Sequence, residues 1–169
     1  MADYTSAEAA KLLRKLNQER NNLLAQESKT ATFVAALEED ESRIRPDYNY
    51  AEMQGQLLDV EARIRKVKHA VNIFNTTHTV PGFDLTIDEM LVYIPQLKAR
   101  AEKLQAMQER LPRERYTDGY GSNNFIEYTV ANYNPEDARK DFQIVSDELS
   151  RAQLALDRIN MTETMEIEL

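Results

Sequence analysis

The chain has 169 residues, 42% hydrophobic and 30% charged, with four Gly, five Pro, no Trp, no Cys and a net charge of -8. This length is sufficient for one domain with a sizeable core, and the composition excludes a disordered or collagen-like chain. Without cysteine, a disulfide framework, a zinc–thiolate site and a cysteine nucleophile are excluded.

No targeting or membrane segment is visible in the sequence. The opening MADYTSAEAA lacks a basic region followed by an apolar one, so it does not read as a secretory signal. The longest stretch without Asp, Glu, Lys or Arg, residues 69–83, contains Asn, Thr and His throughout and does not suit a membrane span. We therefore expect a cytoplasmic protein that has no membrane contact.

The first helix is predicted over residues 6–28. Thr5 followed by Glu8 is a capping box, in which each side chain binds the other residue's backbone amide. Arg20 occupies a position where the helical period requires a hydrophobe, so either the seam opens to solvent there or Arg20 pairs with a carboxylate of a neighbouring helix. The apolar positions are Ala9, Leu13, Leu16, Leu23 and Leu24.

The segment between the first two helices divides into an apolar and an acidic part. Residues 30–37 (TATFVAAL) are uncharged and partly β-branched, which predicts a strand. Residues 38–47 (EEDESRIRPD) are predicted to form a loop.

A second helix is predicted to begin after Asn49, with Glu52 in its first turn. Its apolar residues alternate spacings of four and three without a break, as packing against a neighbouring helix requires. They are Met53, Leu57, Val60, Ile64, Val67, Val71 and Phe74. The Thr-rich residues 76–80 that follow are predicted to form a strand.

The third helix is predicted to begin at a second capping box, Thr86 and Glu89, and to end before Pro112. Pro95 lies inside it and should kink it, because its ring removes a backbone donor. The apolar positions are Met90, Ile94, Leu97, Ala101 and Leu104. Residues 116–124 (YTDGYGSNN) are predicted to form a loop.

The fourth helix has Asn134 as its cap and Pro135 at its first position, followed by two acidic residues. Its apolar positions are Ala138, Phe142, Val145, Leu149, Ala152, Leu156 and Ile159. Alternating residues predict one strand before it, over 125–133, and one after it, over 162–169.

Residues 48–80 align without gaps on residues 133–165, at an offset of 85. All seven apolar positions of the second helix fall on those of the fourth. The motif N-x-T-x-T recurs at both exits, as Asn75, Thr77 and Thr79 and as Asn160, Thr162 and Thr164. This predicts a helix–strand–helix–strand duplication, with halves 1–80 and 81–169, inside a single helical domain.

Together these elements predict a mainly α protein with small β elements: an antiparallel four-helix core with a short β-ribbon at each end. Residues 30–37 would pair with 125–133 at one end, and 76–80 with 162–168 at the other. A lone two-stranded ribbon is marginally stable and has exposed edges. We therefore expect strands of another subunit to complete it, in a symmetric homo-oligomer.

Three stretches carry a resemblance to a known family: residues 68–104 (KHAVNIFNTTHTVPGFDLTIDEMLVYIPQLKARAEKL), 128–138 (YTVANYNPEDA) and 159–169 (INMTETMEIEL). The chain resembles bacterial proteins of unknown function related to the septicolysin-like family, over nearly its whole length. The resemblance implies no activity, cofactor or site residue. The thiol-dependent haemolysis that the family name suggests would need a thiol, which this chain lacks.

His78, Asp84, Asp88 and Glu89 gather within a short stretch, and a histidine with carboxylates suits a divalent metal. A metal-dependent hydrolase around His78 is thus one alternative function. However, acidic residues are favoured at a helix start without any metal, and the spacing matches no helical metal motif. We therefore predict no metal and no cofactor.

A second alternative is an RNA- or nucleic-acid-binding helical arm. The densest basic run lies in the second helix, and Arg110, Arg113 and Arg115 form another, beside tyrosines that suit base stacking. The acidic total argues against a nucleic-acid partner. The candidate interaction residues are Arg63, Arg65, Lys66, Lys68, Tyr116 and Tyr120.

The leading hypothesis is a non-enzymatic, self-associating scaffold or interaction module. The sequence has no phosphate-binding glycine motif and no G-x-S-x-G nucleophile motif, so no catalytic residue is predicted. The partner expected is a second copy of the chain, and the sequence identifies no other protein partner.

Overall fold

The computed structural model describes residues 2–116 and 126–169. The protein is mainly helical with small antiparallel strand pairs, as predicted. The helices are α1 Ser6–Thr30, α2 Glu41–Ile44, α3 Tyr50–Thr77, α4 Ile87–Gln108 and α5 Pro135–Thr162. The strands are β1 Ala2–Thr5, β2 Arg113–Arg115, β3 Tyr128–Val130 and β4 Thr164–Ile167.

Capping boxes begin α1 and α4, as the sequence predicts. In α1 the Glu8 amide donates to Thr5 Oγ1 at 3.3 Å, and the Thr5 amide donates to Glu8 Oε2 at 2.8 Å. In α4 the Glu89 amide and Thr86 Oγ1 are also 3.3 Å apart, and the Thr86 amide and Glu89 Oε2 2.8 Å. Because the first amides of a helix have no partner inside it, these side chains fix where each helix begins.

Asparagine side chains cap the two longest helices. Asn49 Oδ1 accepts from the Glu52 amide at 3.2 Å before α3, and Asn134 Oδ1 accepts from the Glu136 amide at 3.1 Å before α5. Each of these helices has 28 residues. The helix α4 continues through Pro95 and ends at Gln108, four residues before Pro112.

The chain divides into two compact units, Met1–Thr77 with Ile159–Leu169, and His78–Arg158. In the first unit α1 and α3 are antiparallel, because residues late in α1 bind residues early in α3. Among the predicted apolar positions of this unit, Leu13, Leu23 and Val71 are half-buried and Leu24 is exposed. The predicted positions that are buried are Ala9, Leu16, Met53, Leu57, Val60, Ile64, Val67, Phe74 and Ile159. The strands β1 and β4 pair antiparallel, from Ala2 opposite Ile167 to Thr5 opposite Thr164.

The second unit contains α4 and the residues of α5 up to Arg158, and these two helices are also antiparallel. The Tyr93 hydroxyl donates to Glu148 Oε1 at 2.6 Å, and the Tyr133 hydroxyl donates to the Met107 carbonyl at 2.8 Å. The Glu148 carboxylate, through this hydrogen bond, raises the pKa of Tyr93. The buried apolar residues here are Val80, Ile87, Met90, Leu97, Ala101, Leu104, Ala138, Val145, Ala152 and Leu156.

A tight turn precedes α4. The Val80 amide donates to the Leu85 carbonyl at 2.8 Å, and Thr79 forms an isolated antiparallel bridge with Thr86. Gly82 in this turn has φ +82°, in the left-handed region where a side chain is strained. The Thr-rich residues 76–80 therefore form this single bridge rather than the predicted strand, because α3 continues to Thr77.

The predicted strand over residues 30–37 is wrong. The helix α1 continues to Thr30, residues 32–36 have no regular structure, and every residue from 31 to 41 is exposed. Strand propensity mainly reflects packing on a half-buried surface, and residues 30–37 have no such surface within the described part of the chain. The following acidic segment, predicted as loop, contains the short helix α2, which Asp40 caps through the Ser42 amide.

The predicted pairing of the ribbons is also wrong. The strand β3 pairs with β2 from the same connection, and β4 pairs with β1 at the N-terminal end. Both partners escaped prediction because three or four residues are too few to show a strand period, and β2 (RER) is fully charged. For β3, the nearby β2 also pairs at a lower entropic cost than the distant residues 30–37; this reason does not apply to β4, whose partner β1 is at the other end of the chain.

The capping boxes give the protein an expected dependence on acidity. Hydrogen bonds from Thr5 lower the pKa of Glu8 below its ordinary value of 4.5, and those from Thr86 lower the pKa of Glu89. Stabilisation from a lowered pKa is present above the ordinary value and is lost as the pH falls through the folded value. We expect the double variant Glu8→Gln, Glu89→Gln to lose less thermal stability than the wild type below pH 4.5. Thermal denaturation across this range measures the difference, and parallel curves would contradict it.

Candidate interaction surface

One cation of the basic run in α3, Arg63, pairs with two carboxylates. Arg63 Nη2 lies 2.6 Å from Glu19 Oε1, and Arg63 Nε lies 3.1 Å from Asp59 Oδ2. Arg63 therefore pairs with a carboxylate of its own helix and links α3 to α1. This candidate residue holds the helix pair together instead of presenting a free cation.

Arg65, Lys66 and Lys68 are exposed and form no ion pair within the part of the chain that the structure describes. Arg65 and Lys68 line a shallow groove of ≈ 320 Å³, which also contains the carboxylate-bearing Glu61. Three exposed cations on one helix are few compared with the phosphate contacts of a typical nucleic-acid-binding protein. Nucleic-acid binding stays a prediction.

Arg20 adopts the paired arrangement of the two that the sequence left open. Its Nε lies 2.8 Å from Glu61 Oε1 of α3, and the two side chains are 39% and 36% exposed. The late part of α1 is held by further polar contacts with the same region, since Glu27 Oε1 accepts from the Tyr48 hydroxyl at 2.9 Å and from Gln54 Nε2 at 2.7 Å. The desolvation of Tyr48, with the nearby Glu27 carboxylate, raises the pKa of Tyr48.

Replacing Arg20 with alanine should lower the free energy of unfolding by less than about 1 kcal/mol. The pair is more than a third exposed, and exposed ion pairs stabilise weakly because water screens them and side-chain entropy opposes them. Urea denaturation of Arg20→Ala beside wild type measures this. A loss of several kcal/mol would mean that the charge of Glu61 is stranded in a dry site, against the exposure described.

The acidic residues near His78 do not assemble into a metal centre. Within residues 2–116 and 126–169, no group of three or more His, Asp or Glu side chains is placed to hold a metal ion. The Glu89 carboxylate is used by the capping box, and the His78 carbonyl accepts from the Ile87 amide at 2.9 Å. The hydrolase alternative has no further observation in its favour.

Of the two candidate tyrosines, Tyr116 is exposed directly after β2. Its amide donates to the Glu127 carbonyl at 2.9 Å, which extends the ladder between β2 and β3. Tyr120 lies outside the described residues, as do both glycines of the predicted loop at 116–124.

The ribbon of β2 and β3 separates its side chains sharply by chemistry. Arg113 is opposite Val130 and Arg115 is opposite Tyr128, so these four side chains share one face, called here the ribbon face. Glu114 and Thr129 are opposite each other and therefore lie on the other face. The ribbon face thus combines positive charge with apolar surface, while the acidic side chain of the ribbon, Glu114, lies on the opposite face.

Both strands of the ribbon are exposed along their whole length. Val130 is 62% exposed, and the Arg113 guanidinium lies 3.7 Å from the centroid of the Tyr128 ring, which places its charge over β3. Exposed Tyr128 and Val130 side chains beside two arginines are more typical of a contact surface than of a solvated loop. The sequence showed the alternation in β3, but its partner β2 was missed.

Among the described residues, no strand pairs with the outer edge of β3. The Ala131 amide donates to the Pro112 carbonyl at 3.1 Å, and the Tyr116 amide donates to the Glu127 carbonyl. Because hydrogen-bonded pairs alternate along an antiparallel ladder, the backbone groups of Tyr128 and Val130 point away from β2. These are the backbone groups that a further strand would pair with.

No family model matches the chain, and no curated protein matches it. A solved structure is similar: the crystal structure of a functionally unknown conserved protein from Corynebacterium diphtheriae. The likeness covers 98% of this chain and 100% of that one, with a TM-score of 0.57 and 17% sequence identity. The resemblance to the septicolysin-like family stays a prediction. No helix among the described residues is long and apolar enough to cross a membrane. What the comparison establishes is a shared fold.

Proposed function

We propose that this chain is a non-enzymatic helical interaction protein that associates with itself through the β2–β3 ribbon. The observation that carries the proposal is the ribbon face, where exposed Tyr128 and Val130 lie beside Arg113 and Arg115. The described residues of both strands are exposed, and a lone two-stranded ribbon is marginally stable in water. Covering it in an assembly buries its apolar side chains and occupies its free edge.

We also propose that the chain is an internal duplication, and its hydrogen bonds support this. Thr5 is opposite Thr164 in the β1–β4 pair, and Thr79 bridges Thr86 before α4. The alignment offset of 85 places Thr79 on Thr164, and the two capping boxes make Thr5 and Thr86 equivalent. Each half would then supply one partner to each of the two Thr–Thr pairs.

Tyrosine contacts add independent support for the duplication. Tyr48 and Tyr133 each precede an asparagine cap, and they are separated by the same offset of 85. The Tyr48 hydroxyl donates to Glu27 near the end of α1, and the Tyr133 hydroxyl donates to Met107 near the end of α4. A duplicated chain presents related surfaces twice, which suits a scaffold that contacts more than one copy.

A pair of matched variants tests the association. Val130→Lys introduces a charge on the ribbon face, and Thr129→Lys introduces the same charge on the opposite face. We expect Val130→Lys to raise the dissociation constant about a hundredfold, because an unpaired charge is costly to bury. Thr129→Lys should leave the dissociation constant within about threefold of the wild type.

Light scattering coupled to size exclusion, across a range of protein concentrations, measures both variants. Because Val130 is exposed, its replacement should leave the helical circular dichroism unchanged, which separates lost association from lost folding. Equal effects of the two variants would contradict a role for the ribbon face.

A further inference from the structure

Residues 31–37 form an exposed stretch of chain between α1 and α2. Val34 is 94% exposed and Leu37 is 102% exposed, the most exposed large hydrophobic side chains that the structure describes. Residues 32–36 adopt no regular structure, and the amides of residues 32–35 donate no hydrogen bond to any described residue. Its ends are held locally, since the Ala31 amide donates to the Glu27 carbonyl and the Glu39 amide donates to the Ala36 carbonyl, and the Arg45 guanidinium lies 5.7 Å from the centroid of the Phe33 ring. Uncharged, partly β-branched and without a partner strand among the described residues, the segment has the properties of a strand without a sheet.

An acidic pair follows this segment directly. Of the four consecutive acidic residues 38–41, Asp40 lies 3.5 Å from Arg43 and Glu41 lies 3.8 Å from Arg45. Glu38 and Glu39 form no ion pair with any described residue, although Glu39 Oε2 accepts from the Ala36 amide at 3.1 Å. The segment therefore ends in two uncompensated negative charges.

The ribbon of β2 and β3 carries positive charges beside exposed apolar side chains. Arg113 and Arg115 have no carboxylate within ion-pair distance among the described residues, and both lie on the apolar ribbon face. The contact of Arg113 with the Tyr128 ring extends this positive charge across β3, whose outer edge has no strand partner among residues 2–116 and 126–169. An apolar strand followed by acidic residues complements this surface in two ways. Its backbone can hydrogen-bond to the edge of β3, and its carboxylates can pair with the two arginines.

We propose that residues 31–37 of one copy add as a third strand to the free edge of β3 in a second copy. The acidic residues Glu38 and Glu39 of the first copy then meet Arg113 and Arg115 of the second. This inference rests on the proposed self-association and names its occupant.

Strand addition suits the side chains and the backbone groups of both elements. In the segment, Phe33, Ala35 and Leu37 share one side, and Thr32, Val34 and Ala36 share the other, so either side can lie against the ribbon's apolar side chains. The outward backbone groups of Tyr128 and Val130 provide the hydrogen-bonding partners. Because each copy has both elements, two copies can exchange their segments reciprocally, and two equal contacts close a twofold dimer.

A charge exchange tests the contact directly. One variant carries Glu38→Lys and Glu39→Lys, and the other carries Arg113→Glu and Arg115→Glu. Alone, each variant places like charges at both contacts, so its dissociation constant should rise at least about tenfold. Mixed in equal amounts, the two should associate with an affinity within about threefold of the wild type, because both contacts then join opposite charges. Light scattering of each variant and of the mixture gives these values.

A second pair of variants avoids any effect on the ribbon itself. Leu37→Lys changes a fully exposed side chain of the segment, and Leu58→Lys changes an exposed leucine on α3. Leu37→Lys should weaken association at least about tenfold and Leu58→Lys by less than about twofold. Helical circular dichroism should be unchanged in both.

Failure of this inference is distinguishable from failure of the proposed function. If Val130→Lys dissociates the protein while Leu37→Lys has no effect and the mixture of charge variants stays dissociated, the ribbon associates without residues 31–37 and the inference is wrong. If the wild type is monomeric at every concentration, both proposals are wrong.

Discussion

Replacing Phe74 with alanine should lower the free energy of unfolding by about 3–5 kcal/mol. Phe74 closes the apolar series of α3 and is only 1% exposed, among the largest fully buried side chains described. Truncation removes its burial and leaves a cavity that the neighbouring side chains fill incompletely, and both effects destabilise. Urea denaturation followed by circular dichroism measures the change.

The adjacent residue supplies the control for this substitution. Ile73 lies on the same helix and is 49% exposed, so Ile73→Ala should cost less than about 1 kcal/mol. A similar loss for both variants would contradict the orientation of α3. A small loss for both would show that Phe74 is not part of a packed core.

Deleting residues 164–169 should cost about 3–6 kcal/mol. The deletion removes β4, whose Met165 and Ile167 are buried, and burying a side chain of this size contributes roughly 1.5–3 kcal/mol. It also leaves β1 without its partner strand. Because β1 of the same chain completes this pair, the loss should appear as a lower melting temperature rather than as a smaller assembly.

A shorter deletion serves as the control. Removing only Glu168 and Leu169 leaves the whole of β4 in place, and Leu169 is about half exposed. This variant should melt within a few degrees of the wild type, since surface changes are typically within about 0.5 kcal/mol. Equal melting temperatures for the two deletions would show that β4 contributes nothing to stability.

The long helices could be predicted from sequence because their signals are local and redundant. Thr5 with Glu8 and Thr86 with Glu89 mark the start of two helices, and the uninterrupted apolar series of α3 marks its buried side. Capping motifs and the periodic spacing of apolar residues lie within or next to the helix that they specify. The boundaries observed for α1 and α3 accordingly lie within two or three residues of those expected.

The strands could not be predicted as well, because a strand depends on a partner that its own residues do not identify. Residues 30–37 have the composition of a strand and no partner in the described chain, whereas β2 has the composition of a charged loop and pairs with β3. Pairing is decided by what is nearby and what is buried rather than by propensity. The sequence therefore predicted one strand of the ribbon, β3, and not its partner β2.

The surroundings of the candidate interaction residues were also hard to predict, because they depend on neighbouring elements. The sequence placed Arg63 among the candidate interaction residues, but Glu19 of α1 and Asp59 of its own helix bind it. Of these partners, Asp59 was predictable from its helical spacing and Glu19 was not, because it depends on how α1 meets α3. The sequence named Arg113 and Arg115 for the RNA-binding alternative, but their common face with Tyr128 and Val130 depends on the strand register.

The mass of the wild-type protein in solution tests the central claim most directly. Light scattering coupled to size exclusion should give at least twice the 19.5 kDa of one chain at high concentration, falling towards 19.5 kDa on dilution. A mass of 19.5 kDa at every concentration would contradict self-association through the ribbon and the segment exchange built on it.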